Sequence, residues 1–362
     1  MPGQQYADRF YLVSTVDKEA VLQVARDEAV DGVIAYASDP AAPTAAYVAE
    51  TLGLPTNPAD AVNILCDKNR FRSFLAENGF HSPLSCSYAD AAAAAADIDR
   101  FELPVIVKPV DASGSKGVTV LDSAEEIGKA AEFARSFSRS GRILVEKYIE
   151  KGYPYVIGGD VFVADGIVRL WGLMDCHRDS RVNALVPVGK SYPTGLTPET
   201  MREVRTVIQG IISKLGIMFG AVNVELIVDR NGAVWPIDFG PRCGGNMIPR
   251  LMNYIFGTDI ARLSVQTAMG EQVTVTAGEP DACYATYNLH SDRDGVFAGV
   301  YYSDAVQPYV MDQCLYEEPG APVCYFDNAS KAVGIIFLKF PDRTRMNAIL
   351  EHIDEHIRVQ LR

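Results

Sequence analysis

The sequence of 362 residues contains 33 basic and 46 acidic residues, which gives a formal net charge of −13 at pH 7. This acidic balance disfavours phosphate backbones and acidic lipid surfaces, so we predict neither a nucleic-acid partner nor a membrane partner. Hydrophobic residues make up 48% of the chain and charged residues 22%, which is typical of globular proteins and excludes disordered, collagen-like and disulfide-scaffold classes. The length is sufficient for two or three domains.

The start of the sequence carries no recognisable export signal. The first ten residues lack the basic start and apolar middle of a secretory signal, and the longest apolar stretches are far shorter than the ~20 residues of a membrane span. The seven cysteines are an odd number without a CxxC pair, which indicates reduced thiols. We therefore predict a cytoplasmic protein.

Residues 1–66 alternate short apolar segments with helical segments. FYLVST (10–15) and GVIAYAS (32–38) have the composition of strands, and a helical segment follows each of them. This alternation is typical of a parallel α/β sheet. Residues 1–9 supply neither the strand nor the glycine-rich turn that normally opens a doubly wound domain. We therefore expect an incomplete Rossmann-like domain that begins one βα unit late.

The next segment combines a capped helix, an apolar strand and a glycine-rich loop. Asp67 is placed to cap a helix that begins with Lys68 and ends near Gly79. PVIVKP (104–109) carries Lys108, whose ammonium is poorly solvated after an apolar strand unless it meets an anion. The loop DASGSKG that follows can turn several backbone N–H groups toward a phosphate, although a glycine-rich hairpin tip is more commonly only a turn.

A second hairpin is predicted around Asn231-Gly232, a dipeptide typical of two-residue turns. That turn places Glu225 directly opposite Asp238 on one face of the hairpin. Opposed carboxylates destabilise a sheet, and a hard cation between them removes the repulsion. The alternatives are a different turn register and exposure of both acids to water. We favour a magnesium site that also meets nucleotide phosphates.

Taken in chain order, these motifs resemble those of the ATP-grasp superfamily of carboxylate-amine ligases, including the ATP-binding parts of carbamoyl phosphate synthetase and biotin carboxylase. DKNRFRSFLAENGF resembles the family's lysine helix, and PVIVKP with DASGSKGV resembles its phosphate lysine and mobile glycine loop. ILVEKYI resembles its adenine connector, and VNVELIVDRNGAVWPIDFGPRCGGN resembles its metal-binding hairpin and arginine loop. The resemblance implies an ATP-grasp fold of mixed α/β and α+β class, with an incomplete Rossmann-like N-terminal domain and a C-terminal α+β region.

The resemblance also implies a role for each matching residue. Lys68 and Lys108 would hold the phosphates of ATP. Glu225 and Asp238 would bind Mg2+, with Mn2+ as a substitute, and the catalytic residues would be Arg242 and Lys108. The remaining cofactor-binding residues would be Ser113, Gly114, Ser115, Lys116 and Gly117 of the glycine loop, and Glu146, Lys147, Tyr148 and Ile149 of the connector, where the main chain of Lys147 and Ile149 would contact adenine.

Two positions depart from the family pattern. Many members carry an asparagine two residues after the second acid, where this chain has Gly240. Cross-strand pairing puts Asn223 opposite that position, so its amide is a candidate substitute. The family's acidic ribose ligand after the connector is also absent from KGYPYVIGGD, which leaves Asp160 or Glu150 as candidates.

Residues 175–196 correspond to the acceptor side in similar proteins, and they concentrate positive charge in an acidic chain. An anionic substrate would fit this loop, and a solvated basic loop is an equally weighted alternative. The candidate substrate contacts are Arg178, Arg181, Lys190 and Asn246, and His177 belongs to the same loop.

We therefore predict an ATP-dependent carboxylate-amine ligase that forms an acyl phosphate and releases ADP and phosphate. Lysines, magnesium-binding acids and one arginine suffice for phosphoryl transfer without a protein nucleophile. The alternatives are a bicarbonate-activating enzyme that forms carboxyphosphate and an ATP-binding module without catalysis. The expected regions are 1–66, the nucleotide clamp 67–270 and the C-terminal region 271–362. The expected partners are a small-molecule carboxylate and an amine, and a homodimer is one candidate for the oligomeric state.

Overall fold

A computed structural model describes residues 2–362 of the chain. Its helices are α1 (Lys18–Asp27), α2 (Ala42–Leu52), α3 (Ala59–Cys66), α4 (Lys68–Glu77), α5 (Ala91–Ala96), α6 (Ile127–Phe137), α7 (Pro198–Leu215), α8 (Ile248–Phe256), α9 (Ile260–Ala268), α10 (Arg343–Leu350) and α11 (Ile353–His356). Within these residues, no helix is both long and apolar enough to cross a membrane.

The strands are β1 (Ser85–Tyr88), β2 (Val105–Pro109), β3 (Thr119–Leu121), β4 (Ile143–Lys147), β5 (Val156–Ala164), β6 (Ile167–Asp179), β7 (Asn183–Tyr192), β8 (Phe219–Val228), β9 (Val234–Gly240), β10 (Cys283–Leu289), β11 (Gly295–Tyr302), β12 (Val310–Leu315), β13 (Pro322–Val323), β14 (Gly334–Phe340) and β15 (Ile357–Leu361). They form sheets of four, eight and three strands. The mixed α/β and α+β class expected from the sequence is confirmed.

The N-terminal segment folds as helices without a sheet. The two helices predicted near its start are confirmed as α1 and α2, but the two predicted strands are wrong. A strand requires a neighbour that satisfies its backbone N–H and C=O groups, and among residues 2–362 no strand pairs with either segment. Instead, Leu12 is 91% exposed, and the Tyr36 carbonyl accepts a hydrogen bond from the Cys243 N–H at 3.0 Å.

The four-stranded sheet is antiparallel and has the order β1-β4-β2-β3. Alternate residues of its central strands, such as Val105 and Val145, pack against α6 in a buried core. Because successive side chains of a strand point to opposite faces, Lys108 and Glu146 lie on the face away from α6. The predicted hairpin between β2 and β3 is confirmed.

The eight-stranded sheet has the order β12-β14-β10-β7-β6-β5-β8-β9. One face of β5 and β8 packs against α3, α4 and α7 through residues such as Val161 and Val224. The opposite face packs against α8 through Phe162 and Met174, and it also presents the polar residues described below. The small sheet β13-β11-β15 and α10 cover the C-terminal end of the large sheet in a third core.

Candidate functional site

A cleft with a volume of about 170 Å³, open at its mouth, lies between the four-stranded and eight-stranded sheets. Lys108 comes from β2, residues 112–116 from the following loop, and Lys68 from α4. Glu225 and Asp238 come from the large sheet. Apolar and aromatic side chains also line the cleft, among them Ile106, Val118, Tyr148, Val156, Leu185, Ile227 and Ile237. Cationic groups, a glycine loop and two carboxylates therefore face one space beside an apolar surface.

The predicted pairing of Glu225 with Asp238 is present in the β8–β9 hairpin. The turn differs from the prediction, because three residues rather than two separate the hydrogen-bonded pair Asp229 and Ala233. Gly232 occupies the left-handed position of this loop, with φ at +81°. A three-residue loop by itself would shift the register by one residue and move the acids apart.

A bulge in β9 restores the register. Residue Ile237 is the extra residue between the pairs Leu226–Pro236 and Glu225–Asp238. Proline has no N–H to donate to a strand ladder, so Pro236 is compatible with this irregular position. The loop and the bulge together bring the two carboxylates to opposite positions on adjacent strands.

Lys68 connects the glycine loop with the acid pair. The Asp67 side chain caps α4 by accepting from the Arg70 N–H at 2.9 Å, which places Lys68 in the first turn. The Lys68 Nζ donates to the Ala112 carbonyl at 2.9 Å and lies 3.7 Å from the Asp238 carboxylate. Lys68 is therefore within reach of both the glycine loop and one of the two opposed acids.

Lys108 belongs to a buried group of three charges. Its Nζ lies 2.5 Å from Glu146 Oε1, and Arg72 donates to the two Glu146 carboxylate oxygens at 3.0 and 3.2 Å. Burial lowers the pKa of Lys108 to about 8, against the opposing effect of the Glu146 charge. Burial by itself would raise the pKa of Glu146, but the charges of Arg72 and Lys108 lower it to about 2. The Glu146 carboxylate is thus bound to two cations, so only its backbone is left to border an adenine ring.

The glycine loop carries three left-handed residues. Gly114, Ser115 and Gly117 have φ values of +71°, +59° and +69°. A side chain at position 117 would place its β-carbon 2.9 Å from the Phe137 ring, so glycine is required for the loop to pack on α6. The Ser115 hydroxyl donates to the Leu185 carbonyl at 2.8 Å, which connects the loop to β7 across the cleft.

The predicted adenine connector, residues 146–149, begins at the end of β4. Its Lys147 and Tyr148 N–H groups already donate to carbonyls of the smaller lobe at 2.9 and 3.0 Å. Tyr148 lines the cleft, whereas Lys147, Ile149 and Glu150 line a second cleft behind the connector. Glu150 also pairs with Arg230 at 3.2 Å. Glu150 therefore lines the second cleft and not the first.

Asp160, the other ribose candidate, is fully buried. Its carboxylate accepts from the Gly244 N–H at 2.9 and 2.8 Å and from Asn223 Nδ2 at 2.8 Å. Burial raises its pKa, and these hydrogen bonds oppose the rise. The ribose prediction for Asp160 is wrong, because the residue fixes the arginine loop from within the sheet. The Asn223 amide nitrogen donates to Asp160 and so helps to hold the buried carboxylate in place.

Arg242 is held by an acid that the sequence did not suggest. Its guanidinium donates to the two oxygens of Asp39 at 2.6 Å each, and Arg242 lines a separate pocket beside residues 33–36 rather than the cleft. A β-carbon at position 240 would lie 2.5 Å from Asp39 Oδ1. Gly240, which departs from the family pattern, is therefore required to make room for this ion pair.

Two of the predicted substrate residues face the cleft side of the large sheet. Arg178 lines the cleft, and its Nη1 is buried without a hydrogen-bond partner among residues 2–362. Lys190 is 7% exposed, and its Nζ lies 2.9 Å from the Cys176 sulfur. A β-carbon at position 158 would lie 2.9 Å from the Cys176 sulfur and 3.2 Å from this Nζ, so Gly158 leaves space for the Lys190–Cys176 contact. Gly158 pairs with Glu225 on the neighbouring strand.

The other residues of the basic loop are placed elsewhere. Arg181 pairs with Asp179 at 2.6 Å and also with Asp354, and it lines a separate cleft. Its charge is thus balanced within the protein, and it does not join the site predicted for it. His177 hydrogen-bonds to a neighbouring serine hydroxyl, and burial lowers its pKa to about 4. Asn246 lies in the loop before α8 with φ at +51°.

The residues that sequence reasoning missed are Arg72 and Asp39. Arg72 had a signal, because it follows Lys68 by four residues and lies between the apolar Phe71 and Phe74. Asp39 had none, since 203 residues separate it from Arg242.

The opposed acids fit a hard cation. Glu225 and Asp238 supply two carboxylates, and no cluster of three or more histidine, cysteine or acidic side chains suitable for a metal occurs within the described part of the chain. Mg2+ is commonly held by one or two carboxylates and completes its octahedron with phosphate oxygens and water. The donor set therefore fits Mg2+ held jointly with a nucleotide.

Comparison with known proteins places this geometry in a family. The profile described as carbamoyl-phosphate synthase L chain, ATP binding domain, matches residues 67–276. A protein of Sinorhizobium fredii named y4rH and described as uncharacterized is 26% identical over 322 residues, which cover 87% of this chain and 65% of y4rH. The carbamoyl phosphate synthase large chain of Thermotoga petrophila is 23% identical over 270 residues, which cover 74% of this chain and 24% of the synthase. The chain thus spans less than two thirds of either relative.

The fold agrees with the family match. The crystal structure of an L-amino acid ligase from Bacillus licheniformis superposes with a TM-score of 0.79 at 22% identity, over 96% of this chain and 85% of that one. The family match extends over more than half of the chain and contains both lysines and both acids of the cleft. The chain therefore belongs to the family of the carbamoyl-phosphate synthase L chain ATP-binding domain, within the ATP-grasp superfamily.

Proposed function

We propose that this protein is an ATP-dependent ligase that joins a carboxylate to an amine through an acyl phosphate. The observation that supports the proposal most directly is the meeting of Lys68, Lys108, Glu225 and Asp238 in one cleft. These groups can neutralise and position a triphosphate, which is the main requirement of phosphoryl transfer. None of them is placed as a nucleophile, so the substrate carboxylate itself attacks.

The reaction has two steps. A carboxylate oxygen attacks the γ-phosphorus of ATP, the bond from this phosphorus to the bridging oxygen breaks, and ADP leaves. The amine nitrogen then attacks the acyl carbon, the carbon–oxygen bond to phosphate breaks, and a proton passes from nitrogen to solvent. Bound Mg2+, or Mn2+ in its place, would neutralise charge on the phosphates.

Each predicted site residue has one task in this scheme, and Arg242 acts from outside the lining of the cleft. Glu225 and Asp238 hold the cation, Lys68 and Lys108 hold the phosphates, and Arg242 stabilises the transferring phosphoryl group. The glycine loop covers the phosphates with backbone N–H groups, and the apolar wall around the connector receives the adenine. We assign the nucleotide clamp to residues 67–270, flanked by 1–66 and 271–362, and we place the protein in the cytoplasm.

The substrate carboxylate is expected on the Lys190 side of the cleft. A buried ammonium whose hydrogen-bond partner is a thiol is poorly compensated, and an organic anion would supply the missing charge. Arg178 adds a second cation whose buried Nη1 has no partner in the described chain. Bicarbonate is small enough to be bound by one cationic side chain. The presence of two, Lys190 and Arg178, therefore favours a larger organic acid as the substrate.

The experiment measures ADP release with MgATP and a panel of carboxylates and amines, with bicarbonate as a separate arm. We expect release that depends on an organic carboxylate and an amide product that depends on the amine. Asp238→Asn should abolish release in a protein that keeps its fold, and Asp229→Asn in the same hairpin should retain it if folded. Release stimulated by bicarbonate alone would replace the ligase by a carboxyphosphate-forming enzyme. ATP binding without release in any arm would indicate a binding module.

A further inference from the structure

Arg72 contacts both lobes of the cleft. It lies four residues after Lys68 in α4, so the two side chains share one face of the helix. Its Nε and Nη2 donate to the two Glu146 oxygens at 3.0 and 3.2 Å. Its Nη2 also donates to the Ile237 carbonyl at 2.8 Å. Arg72 is 2% exposed, and the reaction scheme above gives it no task.

The first contact of Arg72 orients Lys108, one of the two lysines proposed to bind phosphate. Glu146 holds Lys108 at 2.5 Å, and Arg72 binds the same carboxylate through a two-pronged contact that sets its orientation. Without Arg72, both oxygens of the Glu146 carboxylate would be free to pair with the Lys108 ammonium. Because Arg72 shares Glu146, Lys108 keeps donor capacity for an incoming phosphate.

The second contact of Arg72 orients Asp238, the proposed metal-binding carboxylate. Ile237 is the bulge residue of β9, and Asp238 follows it directly. A bulge changes the direction in which neighbouring side chains point. The hydrogen bond from Arg72 to the Ile237 carbonyl therefore holds the backbone that aims Asp238 at Glu225.

We propose that Arg72 is a positioning residue that orients both Lys108 and Asp238, and this proposal rests on the proposed function. Phosphate binding and metal binding would then both depend on the Arg72 guanidinium. It acts through Glu146 and the β9 bulge rather than by contact with the nucleotide. Only a planar group with several donors can reach both partners, and a lysine ammonium lacks this fork geometry.

The test compares three variants of the full chain. Arg72→Met removes the charge and the hydrogen bonds, Arg72→Lys keeps the charge but not the fork, and Arg70→Met is the control. Arg70 lies on the same helix, and its side chain pairs with Asp60 at the surface. Circular dichroism and thermal unfolding select the variants that fold. Calorimetry then gives the affinity for MgATP, its dependence on Mg2+ concentration and its dependence on pH.

We expect both Arg72 variants to weaken MgATP binding and to raise the Mg2+ concentration that binding requires, each by about tenfold to hundredfold. Loss of a residue that orients a metal-binding side chain commonly has an effect of this size. Arg70→Met should stay within about twofold of the wild type, as expected for an exposed ion pair. If Arg72→Met does not fold, Arg72→Lys carries the same test.

The pH dependence separates positioning from a merely structural role. Burial, Arg72 and Lys68 lower the pKa of Lys108, and Glu146 raises it. The affinity of the wild type for MgATP should therefore fall as the pH rises through about 8. Arg72→Met removes a neighbouring positive charge, so this fall should move to higher pH, whereas Arg72→Lys should leave it in place.

Folded Arg72 variants that match Arg70→Met in affinity, Mg2+ requirement and pH dependence would overturn the proposal. The outcome is independent of the carboxylate, because every readout uses MgATP alone. Shifted binding in a protein that releases no ADP with any carboxylate would support the role of Arg72 and contradict the ligase.

Discussion

Glu146→Gln removes the charge that holds Lys108 and Arg72 while keeping the size of the side chain. The pKa of Glu146 is about 2, against an ordinary value of 4.5. The charges of Arg72 and Lys108 outweigh the effect of burial, so the ionised carboxylate is favoured in the folded protein at neutral pH. Removing one member of a buried ion pair costs about 3–5 kcal/mol. We therefore expect Glu146→Gln to lower the free energy of unfolding by about 3–5 kcal/mol at pH 7.

The sign of the pH dependence follows from the lowered pKa. A carboxylate whose pKa is lower in the folded protein stabilises it above the unfolded value of about 4.5, and this contribution is lost as the pH falls toward 2. The stability difference between wild type and Glu146→Gln should therefore be largest at pH 7 and shrink below pH 4.5.

The assay is urea-induced unfolding at pH 7.0, 5.5 and 3.5, followed by circular dichroism and tryptophan fluorescence. Glu102→Gln is the matched control, because Glu102 pairs with Lys147 but its side chain is 76% exposed. That variant should leave the unfolding midpoint unchanged. An unchanged midpoint for Glu146→Gln at pH 7, or a difference that stays constant down to pH 3.5, would refute the reasoning.

Two further predictions concern glycines that leave room for charged side chains. Gly158→Ala places a β-carbon 2.9 Å from the Cys176 sulfur and 3.2 Å from the Lys190 Nζ, which disturbs the contact between them. We expect a higher KM for the organic carboxylate with an unchanged KM for ATP in steady-state kinetics. Gly240→Ala places a β-carbon 2.5 Å from Asp39 Oδ1 and so displaces the partner of Arg242. We expect kcat to fall by about tenfold to hundredfold while the calorimetric affinity for MgATP is retained.

Gly128→Ala in α6 is the common control, because a β-carbon there meets no atom within 4 Å. It should leave every kinetic constant unchanged. Equal effects of Gly158→Ala on both KM values would contradict the placement of the carboxylate beside Lys190. A Gly240→Ala enzyme with full kcat would show that the Asp39–Arg242 pair is dispensable.

The acid hairpin shows how far the sequence could predict the site. The pairing of Glu225 with Asp238 was correct, although the assumed two-residue turn was wrong. Turn propensity detects Asn-Gly but does not distinguish two loop residues from three, and a bulge is set by neighbours on other elements. At Ile237 that neighbour is Arg72, which is distant in sequence.

Burial and partner choice account for the other differences. Asp160 and Glu150 were equivalent as ribose candidates, because composition does not reveal which carboxylate the sheet encloses. Arg181 was grouped with Arg178 because both belong to one basic loop. Arg181 differs from Arg178 because it pairs with Asp354 of the C-terminal helices. Sequence spacing could not predict this long-range pair. Helices α1, α2 and α4 were predicted because their caps and periodicity are local, whereas segments 10–15 and 32–38 needed a pairing partner that local patterns cannot supply.

The continuity of the eight-stranded sheet has a consequence for how this protein can be divided. The match to the family profile ends at residue 276, but β10, β12 and β14 extend the same sheet beyond β7. A fragment cut at residue 276 would leave Gly189–Tyr192 without the strand that pairs with them, next to an uncovered apolar surface of α8. An open apolar edge of this kind promotes aggregation. The smallest portable unit that carries the nucleotide cleft therefore includes the C-terminal strands, and domain swaps or chimeras should place their junction after residue 340.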